Sequence, residues 1–501
     1  MESWGNWGNQ HAFDRATYTL DSNYRTWVHE LQFKHQAANW RYVAGAFVLR
    51  EKNAIQFAQD MLVEAPYGMP FGQYYDQPDR RVESNGLFAQ GDFKITDRWT
   101  ATAGVRYSAD KRSDSNGRSL GSWDASTPWY YNGKHTVPCE LGLCTPHNGT
   151  DLTFGMGPFA GPGAYITPSN NAHSAEWKKT TFRLGTQYDL DAKQMVFASL
   201  ATGYRPGGFG DQFDTCGGGT CVDGSTQQFT FLDYKPETTT NFELGYKGRM
   251  WGNKLDISAT YFNTDYKDMH TTGMTVVGQK ILSPGQTCPD WNPACDVVTA
   301  WKTENIGRAR IQGLELEFNS RPWADGRLSG YFAYLDAKVK SYATYDDNWI
   351  CGYREMFGAE ACAPIYLGAD VDKRGRRIRD VRGNQLPYAP KFSYALNYAH
   401  DINVGSFTLT PSIGMRHQSR MYFTVRNLDN KNIGDYQKAY TNWNASVRLA
   451  PAGEKWSVEA WGTNLGNTIV KNWMGQGNTG GYTFNSYNPP RMVGLRATVN
   501  Y

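Results

Sequence analysis

No apolar run in this chain approaches the ~18 residues that a membrane-crossing helix requires, and mean hydropathy is −0.61. Helical membrane proteins are thereby excluded. Charge of one sign is also lacking: 51 Lys and Arg face 48 Asp and Glu, a net +3, with both signs mixed along the sequence. No nucleic-acid partner is expected from that balance. The opening MESWGNWGNQHAFDRATYTL has no basic leader, apolar core or small-residue cleavage site, so it is not a signal peptide. Catalytic motifs are missing too. The nine His are scattered without an HExxH spacing, no GxSxG elbow occurs, and the cysteines lack CxxC spacing. Neither an enzyme, a metal site nor a cofactor is expected. GMGPFAGPG (155–163) lacks the Lys and Ser/Thr of a phosphate loop and reads as a flexible surface loop.

What the chain does have is alternation. Residues 98–108 place Trp99, Ala101, Ala103, Val105 and Tyr107 on one face against Thr100, Thr102, Arg106 and Ser108. The same period of two recurs at 181–190, 408–417, 443–449 and in the closing stretch from Val493 to Tyr501. These are strands with one apolar and one strongly polar face. A β-barrel needs only every second residue to be apolar, so the low hydropathy does not count against it. The 31 Tyr, 24 Phe, 17 Trp and 52 Gly suit aromatic girdles and tight turns.

The connections alternate as well. Brief turns are expected at 34–40, 94–99, 189–194, 250–255, 321–328, 400–406 and 450–455. Long connections are expected near 51–83, 109–176, 204–237, 266–302, 339–389, 418–437 and 466–489. Strict short–long alternation is what up-and-down hairpins with one elaborate end produce, and a sandwich or propeller has no reason to show it. The eight cysteines form local couples, Cys139 with Cys144, Cys216 with Cys221, Cys288 with Cys295, and Cys351 with Cys362, all in long connections. Four loop-stapling disulfides in an oxidising compartment are expected. The hairpins amount to about 15 strands beginning near Tyr24. A closed antiparallel barrel needs an even number, so the visible chain is expected to be incomplete at its N-terminus. Residues 1–23 read as loop or truncated strand end, and 24–501 as barrel. In a bacterial-type barrel the NGT sequon at Asn148 is accidental.

Alternation assigns the charges. With Phe242 and Leu244 outward, Glu243 points into the lumen; likewise Glu315 and Glu317, and Arg106, Arg183, Arg416, Arg448 and Arg496. They could contact a plug or line a passage, or form a solvated, mutually paired wall. In the long connections Tyr204, Arg205 and Phe209 lie at a strand top, and Trp291, Trp301, Trp349, Tyr353 and Arg354 near the cysteine couples. An aromatic-plus-Arg surface there suits an anionic chelate or a glycan; loop packing is the alternative.

VFASLATGYRPGGF (196–209), YKPETTTNFELGYKG (234–248), TENIGRARIQGLELEF (303–318), LPYAPKFSYALNY (386–398), WGTNLGN (461–467) and NPPRMVGLRATVNY (488–501) resemble, in this order, the barrel of TonB-dependent outer-membrane receptors. The resemblance implies an all-β transmembrane antiparallel barrel of 22 strands. The plug domain, the TonB box and the early strands are not found in this sequence. It further implies location in the Gram-negative outer membrane, with lipid, a plug, the TonB energy-coupling complex and the barrel-assembly machinery as partners. Tyr501 is similar to the family's terminal assembly signal and equally to a girdle aromatic. The implied function is energised uptake of a scarce bulky solute, a ferric siderophore first, with carbohydrate, haem or cobalamin as competitors. A plugless passive pore or surface-binding barrel from a split or truncated gene is the second reading, and a secreted β adhesin the third.

Overall fold

The computed structural model describes residues 2–8, 14–63, 71–122, 130–131, 134–135, 169–209, 214–215, 220–221, 229–230, 233–279, 297–345, 370–371, 377–429, 434–476 and 483–500. Among these residues, sixteen successive strands carry the fold. In chain order they are β1 (Glu2–Gly8), β2 (Asp14–Gln36), β3 (Trp40–Val63), β4 (Phe71–Lys94), β5 (Trp99–Ser122), β6 (Ser169–Asp191), β7 (Gln194–Arg205) and β8 (Glu237–Met250). They continue as β9 (Leu255–Gln279), β10 (Val297–Ser320), β11 (Gly326–Ser341), β12 (Phe392–His400), β13 (Phe407–Gln418), β14 (Tyr440–Pro451), β15 (Trp456–Thr463) and β16 (Met492–Val499). Each is antiparallel to the next, an uninterrupted up-and-down meander. Thr220–Cys221 and Ile402–Val404 add to it, making the sheet 18-stranded.

Register shows why the alternation exists. Val105 lies opposite Phe182, Leu184 opposite Leu200, and Leu200 opposite Phe242. Leu244 meets Tyr261, then Leu314, Tyr334 and Phe392 across successive strands. These side chains form one continuous row, yet Val105 is 51%, Leu184 52% and Leu244 52% exposed. Water would penalise so long an apolar belt, whereas hydrocarbon favours it. The opposite face carries charge, such as Arg41 with Asp92 at 2.7 Å and Arg249 with Asp256 at 2.6 Å. One cavity of about 710 Å³ takes residues from β9 through β15, including Asp256, Asn319, Arg327, Tyr398, Ser412, Ser446 and Trp461, which requires the sheet to curve around it.

The brief turns fall where expected, but the long connections after β3, β5 and β9 are much shorter than their sequence ranges. Strands β3 to β6, β9 and β10 run well past the last alternating residue, to Val63 and Ser122 for example. Beyond the apolar belt the outward positions turn polar: Glu83, Lys111 and Glu176 lie opposite one another on β4, β5 and β6. Backbone pairing persists there while the hydrophobic period disappears. Strand pairing also reaches 2–8 and 14–23, one strand more than the alternation suggests, because β1 pairs with β2 without an alternating apolar face of its own. A second folded layer packs on the inner-face residues Ala309, Ala337 and Val339: Val381, Leu386 and Ala389 cover them, with Val425 alongside.

Candidate functional site

The inward row of β5 continues from Arg106 through Ser108 to Asp110, Arg112 and Asp114, because side chains on a strand repeat every second residue. Asp110 is buried and Asp114 is 1% exposed. Gln77 donates to Asp114 at 2.9 Å, and Arg80 lies 4.0 Å away. On β6, His173 stands opposite Asp114 and Trp177 opposite Asp110. The end of β7 turns onto this face and brings the buried hydroxyl of Tyr204 against Asp110 and Arg112.

The chain then lies down across the row. Gly208 and Phe209 pair with Tyr234 and Asp233 as a two-residue ladder. Arg112 donates to the Tyr234 hydroxyl at 3.0 Å, His173 meets Asp233 at 2.8 Å, and the His173 ring stands edge-on to buried Phe209 at 4.8 Å. From the other side, Asn305 accepts from the Lys235 amide at 2.7 Å and donates to its carbonyl at 2.9 Å. His270 Nε2 is 2.7 Å from the same carbonyl, which can only accept, so that nitrogen carries a proton. The His270 ring also stands edge-on to Tyr234 at 4.9 Å. Asp233, Tyr234 and Lys235 are thus held from four strands, and rings, guanidinium and carboxylates meet at the long-connection end of the inner face. No group of three or more potential metal ligands exists among the described residues. The chemistry on offer is recognition by charge, hydrogen bonds and ring faces.

A second cluster lies in the connections after β11, β13 and β15. Buried Asp435 accepts from the Thr424 amide at 2.8 Å, the Thr424 hydroxyl at 2.7 Å and the Leu428 amide at 2.9 Å. Burial raises its pKa, and those donors only partly offset this. Lys471, its pKa lowered by burial, donates to the Gly434 carbonyl at 2.8 Å and lies over Phe423. Arg420 sits between the rings of Tyr422 and Tyr436, at 4.7 and 4.3 Å, and pairs with Asp429.

Of the residues singled out by sequence, Tyr204 and Phe209 come together in the first cluster, while Arg205 is exposed beside it. Trp301 lies in β10, its side chain outside the described residues, as are Trp291, Trp349, Tyr353 and Arg354. The cysteines are outside them too, except the backbone of Cys221, and so is Tyr501. Glu243 accepts from Asn241 at 2.9 Å, opposite the exposed Phe242 and Leu244. Arg496 donates to Glu459 at 3.0 Å, Arg448 to Glu454 at 3.2 Å, and Arg106 to Ser108 at 3.1 Å while lying over Phe47 and Phe88. Glu315 and Glu317 lie opposite Thr260 and Ser258, Arg416 opposite Asn442, and Arg183 opposite Ala201. Sequence reasoning missed Arg112, His173, Trp177, Tyr234 and His270. Extending the parity of Arg106 upward along β5 would have reached the first of them.

A meander with an apolar outer belt and a charged inner face defines the class of transmembrane β-barrels. The family model for the TonB-dependent receptor-like β-barrel matches residues 2–465. The chain belongs to that family. Among solved structures it is similar to the ferric yersiniabactin uptake receptor FyuA from Yersinia pestis: 15% identity over 97% of this chain and 57% of that one, TM-score 0.62. It is also similar to the siderophore receptor PiuA from Acinetobacter baumannii, at 14% identity over 98% and 62%, TM-score 0.58. The copper transporter OprC matches at 13% identity over 97% and 58%, TM-score 0.56. The chain therefore spans about three-fifths of the length of these relatives, and at such identities the likeness is one of fold.

Proposed function

We propose that this chain is the barrel part of an outer-membrane receptor that takes up a scarce, bulky solute, with a ferric siderophore as the leading class. The ligand meets the barrel at the long-connection end of its inner face. The observation that carries this reading is the gathering of Tyr204, Phe209, Arg112, His173, Trp177 and Tyr234 from five separate stretches onto one face. A guanidinium beside aromatic side chains suits an anionic chelate. FyuA and PiuA are named for ferric-siderophore uptake and OprC for copper, which supports a metal chelate without choosing between metals. Uptake would need a plug and the TonB complex to supply energy, and the polar inner face, Arg106, Arg183, Glu243, Glu315, Glu317, Arg416, Arg448 and Arg496 included, is where a plug would lie.

The test is titration of the purified full chain with ferric catecholate, hydroxamate and carboxylate chelates, followed by tryptophan fluorescence. One class should bind with Kd near or below about 1 µM. Arg112→Ala should weaken it about tenfold or more, as expected when a charged hydrogen bond of roughly 1.5–3 kcal/mol is lost. Binding of an oligosaccharide but of no ferric chelate would replace iron with carbohydrate. A stable open conductance with no ligand binding would favour the passive pore.

A further inference from the structure

Three strands carry an outward-facing ladder just beyond the apolar belt. The lowest rung is Tyr261, Leu314 and Tyr334; the next is Asn263, Gln312 and Asp336; then come Asp265, Arg310 and Lys338. Above these, Lys267 lies directly opposite Arg308. Arg310 pairs with Asp265 at 2.8 Å and Lys338 with Asp336 at 2.9 Å. Lys267 and Arg308 are both exposed, and neither makes an ion pair among the described residues. Exposed Lys340 follows at the strand irregularity beside them. This patch therefore holds five cations against two carboxylates. The equivalent level on β3 to β6 is balanced, with Arg50, Glu83, Lys111 and Glu176 in one row.

Like charges directly opposite on neighbouring strands destabilise a sheet unless an anion sits between them. From Leu314 to Arg310 is about 13 Å along the strand, or roughly 10 Å along the membrane normal at a ~40° tilt, which is the depth of lipid headgroups. We propose that the outward face of β9 to β11 binds a phosphate-bearing lipid headgroup through Lys267 and Arg308, with Arg310, Lys338 and Lys340 around it and the acyl chains on the Tyr261–Leu314–Tyr334 rung. The cations lie on the outer face, away from the inner-face cluster, so this site is separate from solute capture. It rests on the membrane reading of the barrel.

The experiment places the full chain in nanodiscs of phosphatidylcholine containing a minority of phosphatidylglycerol with the same acyl chains, and counts retained lipids by native mass spectrometry after release. The wild type should keep phosphatidylglycerol preferentially. The double variant Lys267→Gln/Arg308→Gln should lose that preference about tenfold or more, since each basic residue near an anionic surface contributes to attraction. A control on the balanced row, Lys111→Gln, should leave it unchanged. Insertion without lipid preference, or an equal loss in the control, would overturn the headgroup site while leaving the barrel reading intact. Failure to insert into the bilayer would overturn both.

Discussion

Gly207 and Gly208 set how closely residues 206–209 lie against the strand tops. A Cβ on Gly207 would come 2.8 Å from the Trp177 ring and closer still to the Tyr234 carbonyl; one on Gly208 would come 2.6 Å from Arg112 Nη1. Gly207→Ala should therefore push the segment off the inner face, at about 1–3 kcal/mol of local stability. Hydrogen exchange at Phe209 and Tyr234 would rise while that of β12 to β15 stays unchanged; equal protection would show the contact is unimportant. At the short-turn end, the Arg327 guanidinium, with help from the Thr410 hydroxyl, holds the Asp401 carboxyl down to about 2. A lowered carboxylate pKa stabilises the fold above the unfolded value near 3.8, and that contribution fades as pH falls toward about 2. Because Arg327 is half exposed, the effect is expected to stay below about 1 kcal/mol. Amide exchange in the 400–406 turn should accelerate between those pH values, and Asp401→Asn should abolish the pH dependence.

At the scale of elements, the connection cluster behaves as a folded unit because one buried carboxylate organises it. Asp435→Ala would leave the Thr424 and Leu428 amides without their acceptor. A cost on the order of 2–4 kcal/mol is expected locally. Limited proteolysis should then cut within 420–437 while the strands remain resistant; cleavage no faster than in the wild type would mean the carboxylate is dispensable. This unit was illegible in the sequence, since Asp435, Thr424 and Lys471 have no periodic relation and meet only through two separate connections. The upper strand halves were hidden for another reason. Past Tyr107 on β5 and Leu314 on β10, outward positions such as Lys111 and Arg310 face a polar layer, so nothing in the hydrophobic pattern marks them as strand. Brief turns were legible because the chain must reverse within a few residues there, and Asp, Gly and Asn at 191–193, 252–253 and 401–405 make that possible.

For the whole molecule, the two faces of the sheet should respond oppositely to the same charge. Leu244→Arg puts a guanidinium into the exposed apolar row and should cost about 2–4 kcal/mol at mid-membrane. Ser199→Arg, opposite Glu243 on the other face, should be tolerated far better. Folding yield into lipid vesicles, read by heat-modifiable gel mobility, separates the two; equal losses would contradict the assignment of faces. Leu495, 79% exposed on β16, belongs to the same apolar row and should behave like Leu244.

The sequence by itself determined the strand character, the up-and-down order, the outward apolar row and the family, because each follows from local period, turn chemistry or contiguous motifs. Only the tertiary structure decided that Arg112, His173, Tyr204, Tyr234 and His270 converge, and that Lys267 faces Arg308. Such meetings depend on register and on where a connection lies down, which are set by pairing between strands that no local pattern encodes.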